Sequence, residues 1–432
     1  MPSLLYFSLL LCFVTHVLCE QHWALLVAGS SGYDNYRHQA DVCHAYHVIK
    51  SHGIPDERII VMMYDDIAYS PYNPEKGNII NHPDGPNVYP GVPKDYTNTD
   101  LTPEVFLKVL TGDAAGVKKL LGREGKVIGS GPDDRVFVNF VDHGGVGILC
   151  FPNDVLHADE LHATIKYMHT KKLYKQMVFY VEACESGSMF EKILESNLNV
   201  YVTTAANSVE SSFGCYYDSH RGTYLGDVYS VMWMADSEVE NLNIETLDDQ
   251  FNIVRAETNT SHVSKYGQAD LGKLKVADFQ GNLTEGALRF IPNRRIHPTA
   301  DAVSAEDIDI EILKRKLSDS NGLEQLKYRT QLESLMQQRK NIEQFYKNVV
   351  ANVTDAHLYD YFVSAPLHFS SFKCYRQSIY LVQKLCPGMK LVQNQYALRK
   401  LRVLANLCES DIDEKIWSAV VKVSLQSSFC SA

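Results

Sequence analysis

Apolar positions show two textures along this chain: short dense runs up to about residue 281, and recurrence at every third or fourth position from Ile308 onward. The dense runs read as buried strands: Trp23-Ala24-Leu25-Leu26-Val27-Ala28, Ile59-Ile60-Val61-Met62-Met63-Tyr64, Val136 to Val141, Met177 to Ala183 and Val200 to Thr204. Ile148-Leu149-Cys150-Phe151 reads as a hairpin arm. Gly29-Ser30-Ser31-Gly32, Gly144-Gly145 and Gly187-Ser188 end three of these runs. Val42, Ala45, Tyr46 and Ile49 lie at helical spacing and predict a helix over 40–52 that stops at Gly53. Thr102-Pro103-Glu104 opens another, with an N-cap and proline at the first position, and a third is predicted near 158–170. Strands and helices in alternation predict a wound α/β sheet with helices on both faces. Residues 65–100, rich in Pro, Gly, Asn and Asp, are too long for an idle connection.

The second texture is a helical region with Ile312, Leu313 and Leu317, then Leu323, Leu326, Tyr328, Leu332, Leu335 and Met336, in phase. Before it, residues 282–305 carry Pro292, Pro298 and Arg294-Arg295 without any period, the mark of a linker. A chain of 48.8 kDa is expected to form two domains, and this is the boundary. The expected division is a signal peptide over 1–19, an α/β domain over 20–281, a linker over 282–321 and an all-helical module over 322–432.

The N-terminal segment sets the compartment. Leu4 to Leu18 is nearly all apolar, and Val17-Leu18-Cys19 precedes a signal-peptidase cut before Glu20, although the positive n-region is reduced to the amino terminus. No later run reaches the roughly 18 apolar residues of a spanning helix. The mature protein is therefore expected to be soluble, in the secretory pathway, without a membrane span. Asn259-Thr260-Ser261, Asn282-Leu283-Thr284 and Asn352-Val353-Thr354 are glycosylation sequons in agreement. Of the ten cysteines, Cys12 and Cys19 leave with the signal. Cys374, Cys386, Cys408 and Cys430 crowd the C-terminal end and read as two disulfides. Cys43, Cys150, Cys184 and Cys215 read as buried or chemically active thiols, with a Cys150–Cys215 bridge left open. There is no CxxC, HExxH or EF-hand spacing, so neither a metal nor another cofactor is expected despite 16 His.

The candidate chemistry lies where two strands end. Cys184 follows the run 177–183 and His143 follows the run 136–141, along the strand-end edge where α/β proteins build their sites. A thiol and an imidazole so placed can meet in space and form a nucleophile–base pair. Taken singly, a cysteine after a strand is more often a small buried residue and a His-Gly more often a turn.

Four blocks in order settle between these readings. Asn35-Tyr36-Arg37-His38-Gln39-Ala40-Asp41, Asp142-His143-Gly144, Glu182-Ala183-Cys184-Glu185-Ser186-Gly187-Ser188 and Tyr224-Leu225-Gly226-Asp227 resemble the signature blocks of the legumain family of asparaginyl endopeptidases. The resemblance spans about Trp23 to the C-terminal cysteines. It implies a caspase-like α/β fold, a helical prodomain that caps the site, no metal, and the pairing Cys374–Cys408 with Cys386–Cys430. It further implies Cys184 as nucleophile, His143 as base, Asn35 orienting the imidazole, and an oxyanion hole from the N–H groups of Cys184 and Gly144. Arg37, His38, Glu182 and Asp227, with Ser211 and Ser212 on the wall, match the pocket for the residue before the cut. An asparagine amide offers one acceptor and one donor group, which such a set of cations and carboxylates can meet. Asp142 matches an aspartate that can cyclise to a succinimide in the family and is linked to peptide ligation. Asn321, after Lys314-Arg315-Lys316-Leu317-Ser318-Asp319-Ser320, resembles the processing site, with Asn293 as second choice. The implied partners are protein and peptide substrates with exposed Asn, the chain's own prodomain and cystatin-type inhibitors. No nucleic acid is among them. The implied location is an acidic, lysosome-like compartment or the outside of the cell. The family's frequent Arg-Gly-Asp reads Thr111-Gly112-Asp113 here, and no Asn or Asp lies between Glu20 and Trp23.

Rival readings fit less well. The catalytic subunit of the GPI transamidase, a related transpeptidase, is tethered by a C-terminal membrane helix, where this chain has a disulfide-bearing module. A caspase needs an arginine pocket for Asp and the cytosol. A scaffold without activity needs a lost nucleophile. Charge also divides along the chain: −16 over residues 1–321 and +5 over 322–432. The expectation is a basic module clamped over an acidic cleft, its cations facing Glu182 and Asp227, and released by acid.

Overall fold

The computed structural model describes residues 20–282, 297–365, 370–410 and 412–431. The expected signal peptide, Asn293 and the last two residues of the second sequon lie outside them. In chain order the strands are β1 His22–Ala28, β2 Ile59–Met63, β3 Arg135–Val141, β4 Gly144–Gly145, β5 Ile148–Cys150, β6 Val155–His157, β7 Gln176–Glu182, β8 Val200–Thr204, β9 Phe213–Asp218, β10 Thr223–Asp227, β11 Ser264–Gly267 and β12 Val303–Ser304. The first helices are α1 Tyr36–Ser51, α2 Pro103–Leu110, α3 Ala114–Leu121, α4 Ala158–Thr170, α5 Val228–Val239, α6 Leu247–Glu257 and the single turn α7 Ala277–Gln280. The later ones are α8 Ile308–Asp319, α9 Gly322–Val353, α10 Tyr359–Ser364, α11 Phe372–Leu385, α12 Gln395–Lys400, α13 Arg402–Cys408 and α14 Asp413–Gln426.

Six strands form the central sheet in the order β11-β8-β7-β3-β1-β2, with β11 antiparallel and the others parallel. Their apolar runs are continuous because both faces are covered, as in sheets wound with helices. On one face Leu26, Phe137, Tyr180 and Tyr201 pack with residues of α1, α5 and α6. On the other Leu25, Val138, Phe179 and Val202 pack with α2, α3 and α4. Thr102 caps α2 as its sequence requires, accepting the Val105 N–H at 3.2 Å. Helix α1 starts four residues earlier than its apolar spacing indicates. Its first turn carries Arg37 and His38, polar yet buried, which a periodicity argument assigns to a loop. In the departed Thr111-Gly112-Asp113 segment, Asp113 caps α3 through the Gly116 N–H and pairs with Lys108, each at 2.8 Å.

Two small antiparallel sheets carry the rest. Strands β4, β5 and β6 form a hairpin sheet beyond β3, and β9 pairs with β10 on one side and β12 on the other. The C-terminal helices enclose their own core, with Phe345, Tyr346 and Val350 of α9 against Tyr375, Leu404 and Val420. Cys374 pairs with Cys408 and Cys386 with Cys430, while Cys43, Cys150, Cys184 and Cys215 are free and buried. Val146, Ile148, Cys150 and Val155 of the hairpin sheet belong to that same core, so the module grips the α/β domain by apolar contact. No helix among the described residues is long and apolar enough to cross a membrane.

One polar knot stands out beneath this packing. Asp236 of α5 and Glu245, just before α6, are both buried, and Gln250 donates to Asp236 Oδ2 at 2.7 Å. Burial and the neighbouring Asp236, Glu240 and Asp249 push the Glu245 carboxyl up to about 8. A carboxyl raised on folding favours the protonated folded state, so its stability is lost as pH rises from about 4.5 through about 8. Glu245→Gln is expected to raise the melting temperature at pH 7.5 by about 2–5 °C and to leave it unchanged at pH 4.5, read by scanning calorimetry.

Candidate active site

Strand pairing builds the site. Strands β3 and β7 are parallel neighbours with Val141 opposite Glu182, and the Asp142 N–H donates to the Glu182 carbonyl at 3.0 Å. His143 and Cys184 therefore leave the sheet side by side. Gly144 follows where a Cβ would collide with the Cys184 carbonyl oxygen, so only glycine lets the two strand ends close.

The imidazole of His143 has one side fixed. Its Nε2 lies 2.9 Å from Asn35 Oδ1, and Asn35 Nδ2 in turn donates to the Ser31 carbonyl at 3.0 Å. An amide oxygen accepts only, so Nε2 carries the proton and Nδ1 is the basic nitrogen. Burial pulls this imidazole down to about 3, helped by the Arg37 charge and offset in part by Gln395. The thiol is held away from it. Cys184 Sγ lies 3.2 Å from Ser211 Oγ and accepts the Ser212 N–H at 3.3 Å. Burial, then the adjacent Glu185, pushes the thiol up to about 12. Both shifts favour the neutral thiol and the neutral imidazole. Ser211 and Ser212, expected only as pocket wall, are thus neighbours of the sulfur itself; Ser212 also faces Glu182.

The expected pocket residues converge behind Cys184. Arg37 Nε donates to Asp227 Oδ1 at 2.9 Å with both side chains buried. His38 bridges two carboxylates, with Nδ1 3.4 Å from Asp142 Oδ1 and Nε2 3.7 Å from Asp227 Oδ2. Glu182 Oε2 accepts from the N–H and hydroxyl of Ser230 at 3.1 and 3.2 Å, while its Oε1 is buried with no hydrogen bond among the described residues. Desolvation raises the carboxyls of Glu182, Asp142 and Asp227, and Arg37 restrains the rise at Asp227. The sequence left unassigned a layer beneath them. Asp41, fully buried, accepts the Asp227 N–H at 3.3 Å and the Asn81 amide at 2.7 Å. Its place in the Asn35–Asp41 block was the available signal, whereas nothing local marks Asn81.

His38, Asp142 and His143 also bring ligand-type atoms within 4.8 Å of one another. Burial, and after it the Arg37 cation, depresses both imidazoles, and the Arg37 charge also opposes a divalent ion, so the cluster suits proton and hydrogen-bond chemistry.

The cleft is covered. Strand β12 adds to β9 with Val303 opposite Gly214, and the Ala305 N–H donates to the Ser212 carbonyl at 2.9 Å. Ala305, Ile308 and Ile312 then close over Cys184 and Tyr224. From the module, Gln395 Nε2 donates to the Gly144 carbonyl at 2.8 Å and its Oε1 accepts the Gly144 N–H at 3.3 Å. The expected clamp is corrected in its particulars. Among the described residues no module cation reaches Glu182 or Asp227, which bond instead to Ser230 and Arg37. Arg376 instead meets Asp159 at 2.7 Å, and also Glu160, and Arg399 stands 4.0 Å from Glu185 and 3.5 Å from Glu306. The partly exposed Arg376 pairs contribute about 0–1 kcal/mol each, and Arg399 reaches the buried Glu185 only at 4.0 Å. Each fully buried apolar side chain of the interface contributes about 1.5–3 kcal/mol. The apolar contact dominates, with charge at its rim.

A strand-end thiol and imidazole, an oxyanion-type glycine N–H and a buried polar pocket define a cysteine peptidase on a wound α/β sheet. The comparisons agree: the family model described as "Peptidase C13 family" matches residues 22–282. The chain belongs to that family and is a cysteine endopeptidase. It is 48% identical over 393 residues to legumain of Homo sapiens, covering 90% of this chain and 89% of the relative. To the vacuolar-processing enzyme beta-isozyme 1 of Oryza sativa subsp. japonica it is 39% identical over 422 residues, covering 91% and 82%. Among solved structures, caspase-1 of Spodoptera frugiperda superposes on 55% of this chain and 78% of its own with a TM-score of 0.33 and 12% identity.

Cys184→Ala is expected to reduce kcat/KM at least about 1000-fold with a melting temperature within about 2 °C of the parent, since only a sulfur is removed. Cys43→Ala, which removes a buried thiol on α1, is the control and is expected to leave kcat unchanged. Steady-state kinetics and thermal melts on both variants check this.

Proposed function

We propose that this enzyme cleaves peptide bonds after asparagine in an acidic compartment of the secretory route, and that the chain is made as a zymogen. The observation that carries the specificity is the convergence of Arg37 and His38 with Glu182 and Asp227 behind Cys184. Arg37 and His38 serve the amide oxygen of the substrate, and Glu182 and Asp227 its NH₂. A side chain that leaves these buried groups unpaired is rejected by about 10⁴ or more.

Catalysis follows from the geometry. Once the cover leaves, Nδ1 of His143 takes the thiol proton as Sγ of Cys184 attacks the carbonyl carbon. The N–H groups of Gly144 and Cys184 hold the oxyanion, and Asn35 keeps the imidazole aimed. Collapse breaks the C–N bond, His143 protonates the leaving amine, and water or a second amine attacks the thioester to give hydrolysis or ligation. Asp142 suits the succinimide reading: its Oδ1 accepts the His143 N–H at 2.6 Å, and burial pushes its carboxyl toward the neutral, more electrophilic form.

The zymogen reading rests on the cover over Cys184 and on Gln395 holding the Gly144 N–H. The division proposed is signal 1–19, catalytic domain 20–281, activation segment 282–321 and prodomain 322–432. Asn259 and Asn282 are exposed, and Asn352 half-buried, in line with glycosylation on the secretory route. Proteins with exposed asparagine and cystatin-type inhibitors are the partners this reading implies.

Two experiments test it. A peptide library cleaved at pH 5 and pH 7 is expected to show Asn before the cut at both, with Asp joining only at pH 5. A substrate aspartate must be protonated to resemble the amide and to escape repulsion by Glu182 and Asp227; its free pKa is about 3.9. Preference for Arg, or equal rates on Asp at pH 7, would overturn the assignment. Asn321 is exposed between α8 and α9 and makes no cap bond there. Mass spectrometry of the acid-matured chain is expected to find a C-terminus at Asn321, and Asn321→Ala to lose it.

A further inference from the structure

A second pocket lies on the reverse of the specificity pocket, between α1, α5 and α6, with a volume of about 430 Å³. Its walls are apolar at Val231, Met232, Ile253 and Pro298, and Ile253 is 40% exposed at its mouth. Glu240 gives that mouth negative charge, while Glu257 contacts His297 Nε2 there at 3.0 Å.

One polar atom in it, Nε2 of His82, has no hydrogen-bond partner among the described residues. His82 is 8% exposed, and its Nδ1 accepts the Asp84 N–H at 3.1 Å. The proton therefore sits on Nε2, which is buried against the Tyr216 ring with no acceptor among the described residues. A buried donor left unpaired is costly, and a bound acceptor would return that cost.

The pocket is wired to the specificity site. His44 on its wall contacts Glu238 Oε1 through Nε2 at 3.0 Å and Asn81 Oδ1 through Nδ1 at 2.8 Å. Asn81 Nδ2 donates to Asp41 Oδ1 at 2.7 Å and to the Leu225 carbonyl at 2.8 Å. Asp41 accepts the Asp227 N–H at 3.3 Å, and Asp227 holds Arg37 at 2.9 Å. There is little slack: a Cβ on Gly226 would lie 2.7 Å from Val231 Cγ1 and 2.9 Å from Asn81 Nδ2. A movement of His44 or Asn81 must shift Asp41, and with it the Asp227 carboxylate.

We propose that this pocket is an effector site for a small amphipathic cation carrying one hydrogen-bond acceptor, coupled to the Arg37–Asp227 pocket through His44, Asn81 and Asp41. The acceptor meets His82 Nε2–H, the apolar body lies along Met232 and Ile253, and the cation faces Glu240. Coupling acts on substrate affinity, because Asp227 contacts the substrate side chain and not the reacting carbonyl.

The probe is 4-methoxyphenethylamine, with phenethylamine lacking the acceptor and 4-methoxyphenylacetate reversing the charge. Ligand-observed NMR on the full unprocessed chain is expected to give a Kd of about 1 mM or tighter. Both analogues and the His82→Phe variant are expected to bind at least tenfold more weakly, and Ile253→Trp, which fills the mouth, not at all. On the acid-activated enzyme the probe is expected to change KM for an asparaginyl peptide at least twofold at constant kcat, and to have no effect in Ile253→Trp. Binding that survives Ile253→Trp, or that the anionic analogue matches, overturns the site; an unmoved KM with intact binding overturns the coupling. The binding arm needs no turnover, so its outcome is independent of whether the enzyme cleaves after asparagine.

Discussion

The register between β3 and β7 is the constraint on which everything else hangs. With Val141 opposite Glu182, the residues beyond each strand end emerge together, and His143 and Cys184 leave the sheet side by side without any loop having to carry them. Shifting the pairing by one residue would turn every side chain of the strand to the other face. The opposed apolar cores on the two faces exclude that slip. Gly144 is the local counterpart of the same constraint, since the close approach of the strand ends leaves no room for a side chain.

Burial of charge is the second organising fact. The pocket gathers Arg37, His38, Asp41, Glu182 and Asp227 with almost no exposure to water. Such a set is tolerable because its members satisfy one another and because desolvation drives several carboxyls toward the neutral form. In the proposed reading this pocket accepts an amide, whose donor and acceptor groups replace the missing water. The covering segment does not copy that amide. It closes the cleft with Ala305, Ile308 and Ile312 and reserves polar contact for the Gly144 N–H, which Gln395 engages. The cover is thus mainly apolar, and the module's charge lies beside it in the pairs of Arg376 and Arg399 rather than on the pocket floor.

Much of this was legible in the chain. Dense apolar runs closed by glycine place the strand ends, and strand ends place Cys184 and His143. The crowding of Cys374, Cys386, Cys408 and Cys430 marks the module. Arg37, His38, Glu182 and Asp227 could be grouped only through blocks that resemble a known family, because 190 positions separate Arg37 from Asp227. The early start of α1 was hidden, since a helical turn whose polar residues face a buried site has no apolar period.

What the sequence determined by itself is therefore whatever depends on neighbours along the chain: strand and helix periods, caps, breaks and the kinds of chemistry at strand ends. Tertiary structure alone decided the partners. It turned Ser211 and Ser212 toward the sulfur, set Asp41 and Asn81 beneath the pocket, gave Glu182 to Ser230 and Asp227 to Arg37, and brought Gln395 to Gly144. The physical reason is that a buried polar group must find whichever donor or acceptor the packed fold brings near, and that choice is made across hundreds of residues, where local pattern carries no information.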